Sequence, residues 1–77
     1  MYDKNTVKER FREIVPSKNL ENLDILEVEK SLKISLKIIG YSPKNLEKSF
    51  EKTWKTSTAT TLVDFIYECW ECDYDSE

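Results

Sequence analysis

Apolar residues recur at helical spacing in four stretches of this chain, and polar or helix-breaking residues separate them. The first stretch carries Val7, Phe11, Ile14 and Val15. Thr6 with Glu9 three positions later makes a capping box at its start, and Pro16, which has no amide hydrogen to donate, ends it. Residues 17–23 form a polar connector, with one helical turn placing Leu20 and Leu23 inward. In the third stretch Leu46, Phe50 and Trp54 follow one another at i+4. Just before it, Ser42 is placed to cap, Pro43 to take the first helical position and Tyr41 to staple onto Leu46. Thr53 to Thr61 carries six hydroxyl residues in nine, the composition of a loop that supplies caps. The last helix is expected over about residues 61–72, with Leu62, Phe65, Ile66, Cys69 and Trp70 on its apolar face and Asp64, Tyr67, Glu68 and Glu71 on the other.

The second stretch, Asp24 to Ile39, fits two periods. At period two, Leu26, Val28, Leu32, Ile34, Leu36 and Ile38 share a face, which suits a β-hairpin strand. At the helical period, Ile25, Val28, Leu32, Leu36 and Ile39 fall in one arc and Leu26, Ile34 and Ile38 lie outside it. The flanks favour the helix: Asp24 and Glu27 form an N-terminal box, Gly40 suits a left-handed C-terminal stop, and Glu29 and Lys33 make an i,i+4 pair. The off-arc apolar residues then imply a helix buried on more than one side. The expected fold is a single all-α domain over residues 1–77, a compact bundle of about four helices whose core includes Phe11, Leu32, Leu36, Phe50, Trp54, Phe65 and Cys69. A hairpin within 25–39 is the α+β alternative.

Composition sets limits on this picture. A 77-residue chain has a thin stability margin, and its nine aromatic residues supply much of the apolar area available for burial. One glycine and two prolines argue against a turn-rich β-sandwich. No run reaches the length of a membrane span and no signal-like apolar segment opens the chain, so a cytoplasmic protein with reduced cysteines and no membrane contact is expected.

Charge is segregated. Residues 1–55 hold all 12 Lys and Arg against 9 acids, and residues 56–77 hold six acids (Asp64, Glu68, Glu71, Asp73, Asp75, Glu77) and no base, so +3 faces −6. Lys44, Lys48, Lys52 and Lys55 trace a basic stripe along the third helix, and Lys30, Lys33 and Lys37 form a second cluster. Such stripes can track phosphates, but both are interleaved with glutamates.

The one chemically suggestive motif is Cys69-Trp70-Glu71-Cys72. A redox dithiol needs a thiolate favoured by a helix N-terminus or a cation, whereas this pair falls at a helix C-terminus among carboxylates. Structural zinc wants four ligands, so the pair serves a metal only if Asp73 and Asp75 or a second chain complete the set. With no histidine and no catalytic constellation, the expectation is no enzyme, no cofactor and no metal, with Cys69 as a core residue.

Glu21-Asn22-Leu23-Asp24-Ile25-Leu26-Glu27-Val28 resembles the Asp-Ser-Leu-Asp-x-Val-Glu-Leu segment of acyl carrier proteins, and Thr60-Thr61-Leu62-Val63-Asp64-Phe65-Ile66 resembles the opening of their last helix. The resemblance implies a four-helix bundle with a short third helix. Asn22 stands where that family carries its phosphopantetheine-bearing serine, and the first loop is shortened to residues 16–23, so a relative of this kind would not carry the group.

The functional expectation is a small non-enzymatic protein-binding module, a regulator, inhibitor or adaptor. Tyr67, Trp70 and Tyr74 are its expected contact patch, with Asp73 and Asp75 at the rim and a wholly core Trp70 as the alternative. Meeting of the acidic end with the Lys44–Lys55 stripe of another copy would give a homodimer. Nucleic-acid association through the lysine stripes and a degenerate carrier-like domain are the alternatives.

Overall fold

The computed structural model describes residues 3–75. It is a small all-α bundle of four helices, α1 (Lys4–Ile14), α2 (Ile25–Ile39), α3 (Leu46–Thr56) and α4 (Leu62–Asp75), with a single 3-10 turn at Leu20–Asn22. Its radius of gyration is 11.2 Å, close to the roughly 11.5 Å expected for a compact chain of this length. Glu77, the last residue of the acidic run, lies outside the described residues.

α4 is the hub, packing against α1, α2 and α3, while α2 lies against α1 and α4. Val7, Phe11 and Val15 meet Val28, Leu32 and Leu36 across a core that Phe50, Leu62, Phe65, Ile66, Cys69 and Trp70 complete. Trp54 departs from its expected place in that core. It is 37% exposed, stacked on Phe50 at 5.8 Å between ring centroids and set edge-on to Phe65, because α3 is a flank helix and this position falls at the rim of its buried stripe.

The ambiguous segment is helical, and its ends show why. The Asp24 carboxylate accepts the Glu27 N–H at 2.8 Å. At the other end the Gly40 N–H donates to the Leu36 and Lys37 carbonyls, and its φ of 74° turns the chain so that the Tyr41 N–H donates to the Leu36 carbonyl at 3.0 Å. Glu29 and Lys33 pair at 3.0 Å. A β-hairpin would discard all three. One inference from the pattern is overturned: α2 is not buried on several sides. Val28, Leu32, Ser35 and Leu36 are its buried residues, while Leu26 (73%), Ile34 (50%) and Ile38 (58%) face outward.

Two helix starts differ from expectation. α1 begins one turn earlier than Thr6, with Asp3 at the N-cap and the Thr6 hydroxyl donating to the Asp3 carboxylate at 3.4 Å. α3 begins at Leu46 rather than Pro43. The cause is Asp73 on α4, which is only 1% exposed. One of its carboxylate oxygens accepts the Tyr41 hydroxyl at 2.9 Å and the Lys44 N–H at 3.0 Å, and the other accepts the Asn45 N–H at 2.6 Å. A charged acceptor binds these amides more strongly than a Ser42 hydroxyl could, so residues 41–45 wrap around it before the helix begins. The negative charge also lies near the positive end of the α3 dipole. At the other end of the bundle the connector ties to the α3–α4 loop: Leu20 N–H donates to the Thr60 carbonyl at 2.8 Å, and Leu62 N–H to the Lys18 carbonyl at 3.0 Å.

Replacing Asp73 leaves up to three donors without their acceptor. Asp73→Ala is expected to lower unfolding stability by about 3–5 kcal/mol, a large share of the roughly 4–12 kcal/mol total for a domain of this size. Asp75→Ala, which removes only an exposed partner of Lys4 at 3.0 Å, should cost less than about 1 kcal/mol. Urea denaturation of the two variants checks the contrast; similar losses would show that the Asp73 bonds contribute little.

Candidate partner-binding face

α4 places Asp64, Glu68, Glu71 and Asp75 at i, i+4, i+7 and i+11, an acidic ridge on the side of the helix away from the core. Most of its charge is answered locally. The Thr61 hydroxyl donates to Asp64 at 2.9 Å, the Ser57 hydroxyl donates to Glu68, and the Tyr67 hydroxyl donates to Glu71 at 3.3 Å. Lys4 bonds Asp75 and lies 3.7 Å from Glu71, and Lys8 sits 5.1 Å over the Tyr67 ring. Burial, the Glu71 charge and the hydrogen bond to Glu71 all raise the Tyr67 hydroxyl above its ordinary range.

The structure divides the expected contact patch. Tyr67 and Tyr74 are half-buried and Asp75 is exposed, but Trp70 is completely buried and Asp73 nearly so, which removes both from any surface. Trp70 is the centre of an aromatic cluster: Tyr74 stacks on it at 5.1 Å, Tyr67 tilts against it at 5.7 Å, and Tyr41 and Phe11 meet it edge-on at 5.9 and 6.4 Å. Its indole Nε1 is buried with no hydrogen-bond partner among the described residues. The Tyr41 hydroxyl is held protonated well above its usual range, first by burial and then by its bond to Asp73 and the charge of that carboxylate.

Cys69 is fully buried, and its thiol is pushed up to about 12 by burial first, then by the neighbouring Cys72 and Asp73, with a hydrogen bond from Thr53 opposing. That thiol is a packing group. Cys72 is half-buried in a shallow cleft with Lys48, Ser49, Lys52 and Asp75, so lysines of α3 as well as acids surround it. Among the described residues, no group of three or more His, Cys, Asp or Glu side chains is placed to hold a metal ion.

The basic stripe is less continuous than its spacing suggests. Lys44 precedes α3 in the corner that Asp73 organises, Lys48 and Lys52 border the Cys72 cleft, and Lys55 pairs with Glu51 at 3.0 Å.

A different surface was missed. Leu26, Lys30, Ile34 and Ile38 follow one another at i+4 along the outer side of α2, with Lys33 and Lys37 beside them, and all six are exposed. The signal was present in the sequence as the apolar residues that fell outside the core arc. That pattern implies a second buried side, and the structure leaves it as open surface.

No family model, curated protein or solved structure matches the chain. The acyl-carrier resemblance therefore rests on its two short patches. Asn22 lies exposed in the 3-10 turn, and α3 has 11 residues, the same length as α1, where a short third helix was implied.

Two outcomes follow from the buried groups. A thiol reagent at neutral pH should modify Cys72 readily and Cys69 only on unfolding; fast reaction at both would contradict the packing. Cys69 and Tyr41 both hold their protons more tightly folded than unfolded, so their contribution to stability is complete below about pH 9, the ordinary thiol value, and is lost as pH rises toward about 12. Urea midpoints should therefore fall steadily above pH 9, and fall less steeply in Cys69→Ala.

Proposed function

We propose that this chain is a non-enzymatic protein-binding module, a small regulator, inhibitor or adaptor. The observation that carries the reading is the outer face of α2, where Leu26, Ile34 and Ile38 stand 73%, 50% and 58% exposed on a helix whose other side buries Val28, Leu32, Ser35 and Leu36. Exposed large aliphatics gathered on one rigid element mark an interaction surface more than they mark chance exposure. The stem of Lys30 bridges the gap between Leu26 and Ile34, since lysine methylenes cover apolar surface while the ammonium reaches water. Burying three such side chains, each roughly 60% exposed, would contribute on the order of 3–5 kcal/mol toward binding, enough for a reversible contact.

The reading moves the expected interface from α4 to α2. On α4, Trp70 and Asp73 are committed to the core and the acidic ridge is largely paired. The thiols support a cytoplasmic site of action, where Cys69 and Cys72 would stay reduced, and no described helix is long and apolar enough to cross a membrane.

The test compares the intact chain with Ile34→Asp/Ile38→Asp as baits in affinity capture from the source lysate, with helix content checked by circular dichroism. A partner retained by the parent and lost by the double variant, with helicity unchanged, is the expected result. Identical capture by both, or none by either, would contradict the assignment.

A further inference from the structure

We infer that the outer face of α2 recognises an acidic amphipathic helix of a protein partner, crossing it through the Leu26–Lys30–Ile34–Ile38 row. This rests on the protein-binding reading and names the chemistry of what binds. Residues at i+4 intervals form a continuous ridge along a helix, and such ridges seat in the grooves between like ridges of another helix, the commonest packing class in globular proteins. Here the ridge carries three aliphatic tips and one lysine stem, and Lys33 and Lys37 flank it on one side. A partner that buries Ile34 and Ile38 must bring its own edge against Lys30 and Lys37. Carboxylates at that edge form ion pairs, whereas ammonium groups would be repelled.

Charge also decides between occupants. A second copy docked by the same face would gather Lys30, Lys33 and Lys37 of both copies into one contact, so an isologous dimer is disfavoured. An anionic bilayer is served poorly: three lysines against Glu27 and Glu29 leave the face only one net positive charge, and Lys33 is already paired with Glu29 at 3.0 Å. Polybasic membrane contacts use about 4–8 basic residues, and this face also lacks the tryptophan or phenylalanine that anchors interfacial helices. An acidic helix needs only the two or three lysines present. The ridge runs about 18 Å along a single helix, so the contact falls below the roughly 800 Å² per partner of a standard interface and the complex should be micromolar and reversible.

The experiment titrates the full isotopically labelled chain with a synthetic helical peptide of about 18 residues that has a leucine face edged with glutamates. The same peptide edged with lysines, vesicles of phosphatidylcholine with phosphatidylglycerol, and sedimentation of the chain alone run beside it. Saturable shifts at the amides of Leu26–Ile38 with the glutamate peptide are expected, with affinity at least about tenfold above that of the lysine peptide and falling as salt rises. Lys30→Glu/Lys37→Glu should reverse the preference, and Ile34→Asp should weaken both peptides. Equal affinity for the two peptides, vesicle adsorption without peptide binding, or self-association through α2 would each overturn the assignment. Should the glutamate peptide fail while the Ile34→Asp/Ile38→Asp bait still loses a partner from lysate, the binding module stands and the acidic helix falls. Failure of both removes both.

Discussion

The corner between α2 and α3 packs Tyr41 and Leu46 against the core and is latched by one carboxylate from the far end of the chain. Asp73 enters the core on the same face of α4 as Leu62, Ile66 and Trp70, at the point where the backbone of residues 41–45 turns. A buried charge is costly unless fully bonded, and this one is answered by a hydroxyl and two backbone amides. The bond to Tyr41 does further work, because the same ring packs edge-on against Trp70 and beside Tyr74. Polar satisfaction and aromatic packing are thus coupled through a single side chain, and α4 cannot shift without opening the corner.

That constraint also shapes the surface. With α4 as the hub, α1 and α3 flank it and α2 lies on the side that Val28, Leu32 and Leu36 face. Once these residues are seated, none of the described elements covers the other side of α2, and Leu26, Ile34 and Ile38 stay exposed. The acidic ridge of α4 and the lysine-bearing ridge of α2 belong to helices that turn their buried faces toward a common core, so their exposed faces point away from each other. The acidic ridge meets Lys4 and Lys8 of α1, so charge segregated along the sequence is partly reunited in the fold.

Much of the fold was legible because its signals are local. Asp24, Glu29, Lys33 and Gly40 act as their spacing predicts, and the apolar faces of α1 and α4 follow their periodicity. What could not be read depends on contacts distant in sequence. The Ser42-Pro43 signal is sound by local rules, yet a carboxylate some thirty residues away competes for the same amides. Asp73 looks like one more acid in an acidic tail, although its i+4 and i+7 spacing from Cys69 and Ile66 continues the apolar arc of α4. The α2 face was misjudged for a related reason: periodicity shows that Leu26, Ile34 and Ile38 leave the core arc, but only the packing of the other helices decides whether something waits on that side. Trp54 shows the same limit on α3, where i+4 spacing from Phe50 leads to the rim.

Native-state hydrogen exchange at the Lys44 and Asn45 amides tests the Asp73 latch most directly. Both lie in an exposed, non-helical stretch, so ordinary loop behaviour would let them exchange at close to free-peptide rates. If the carboxylate holds the corner as a structural bond, the two amides should open only with global unfolding, matching the protection of Ile66 and Trp70 in the core. Exchange at loop rates while the core stays protected would contradict the account.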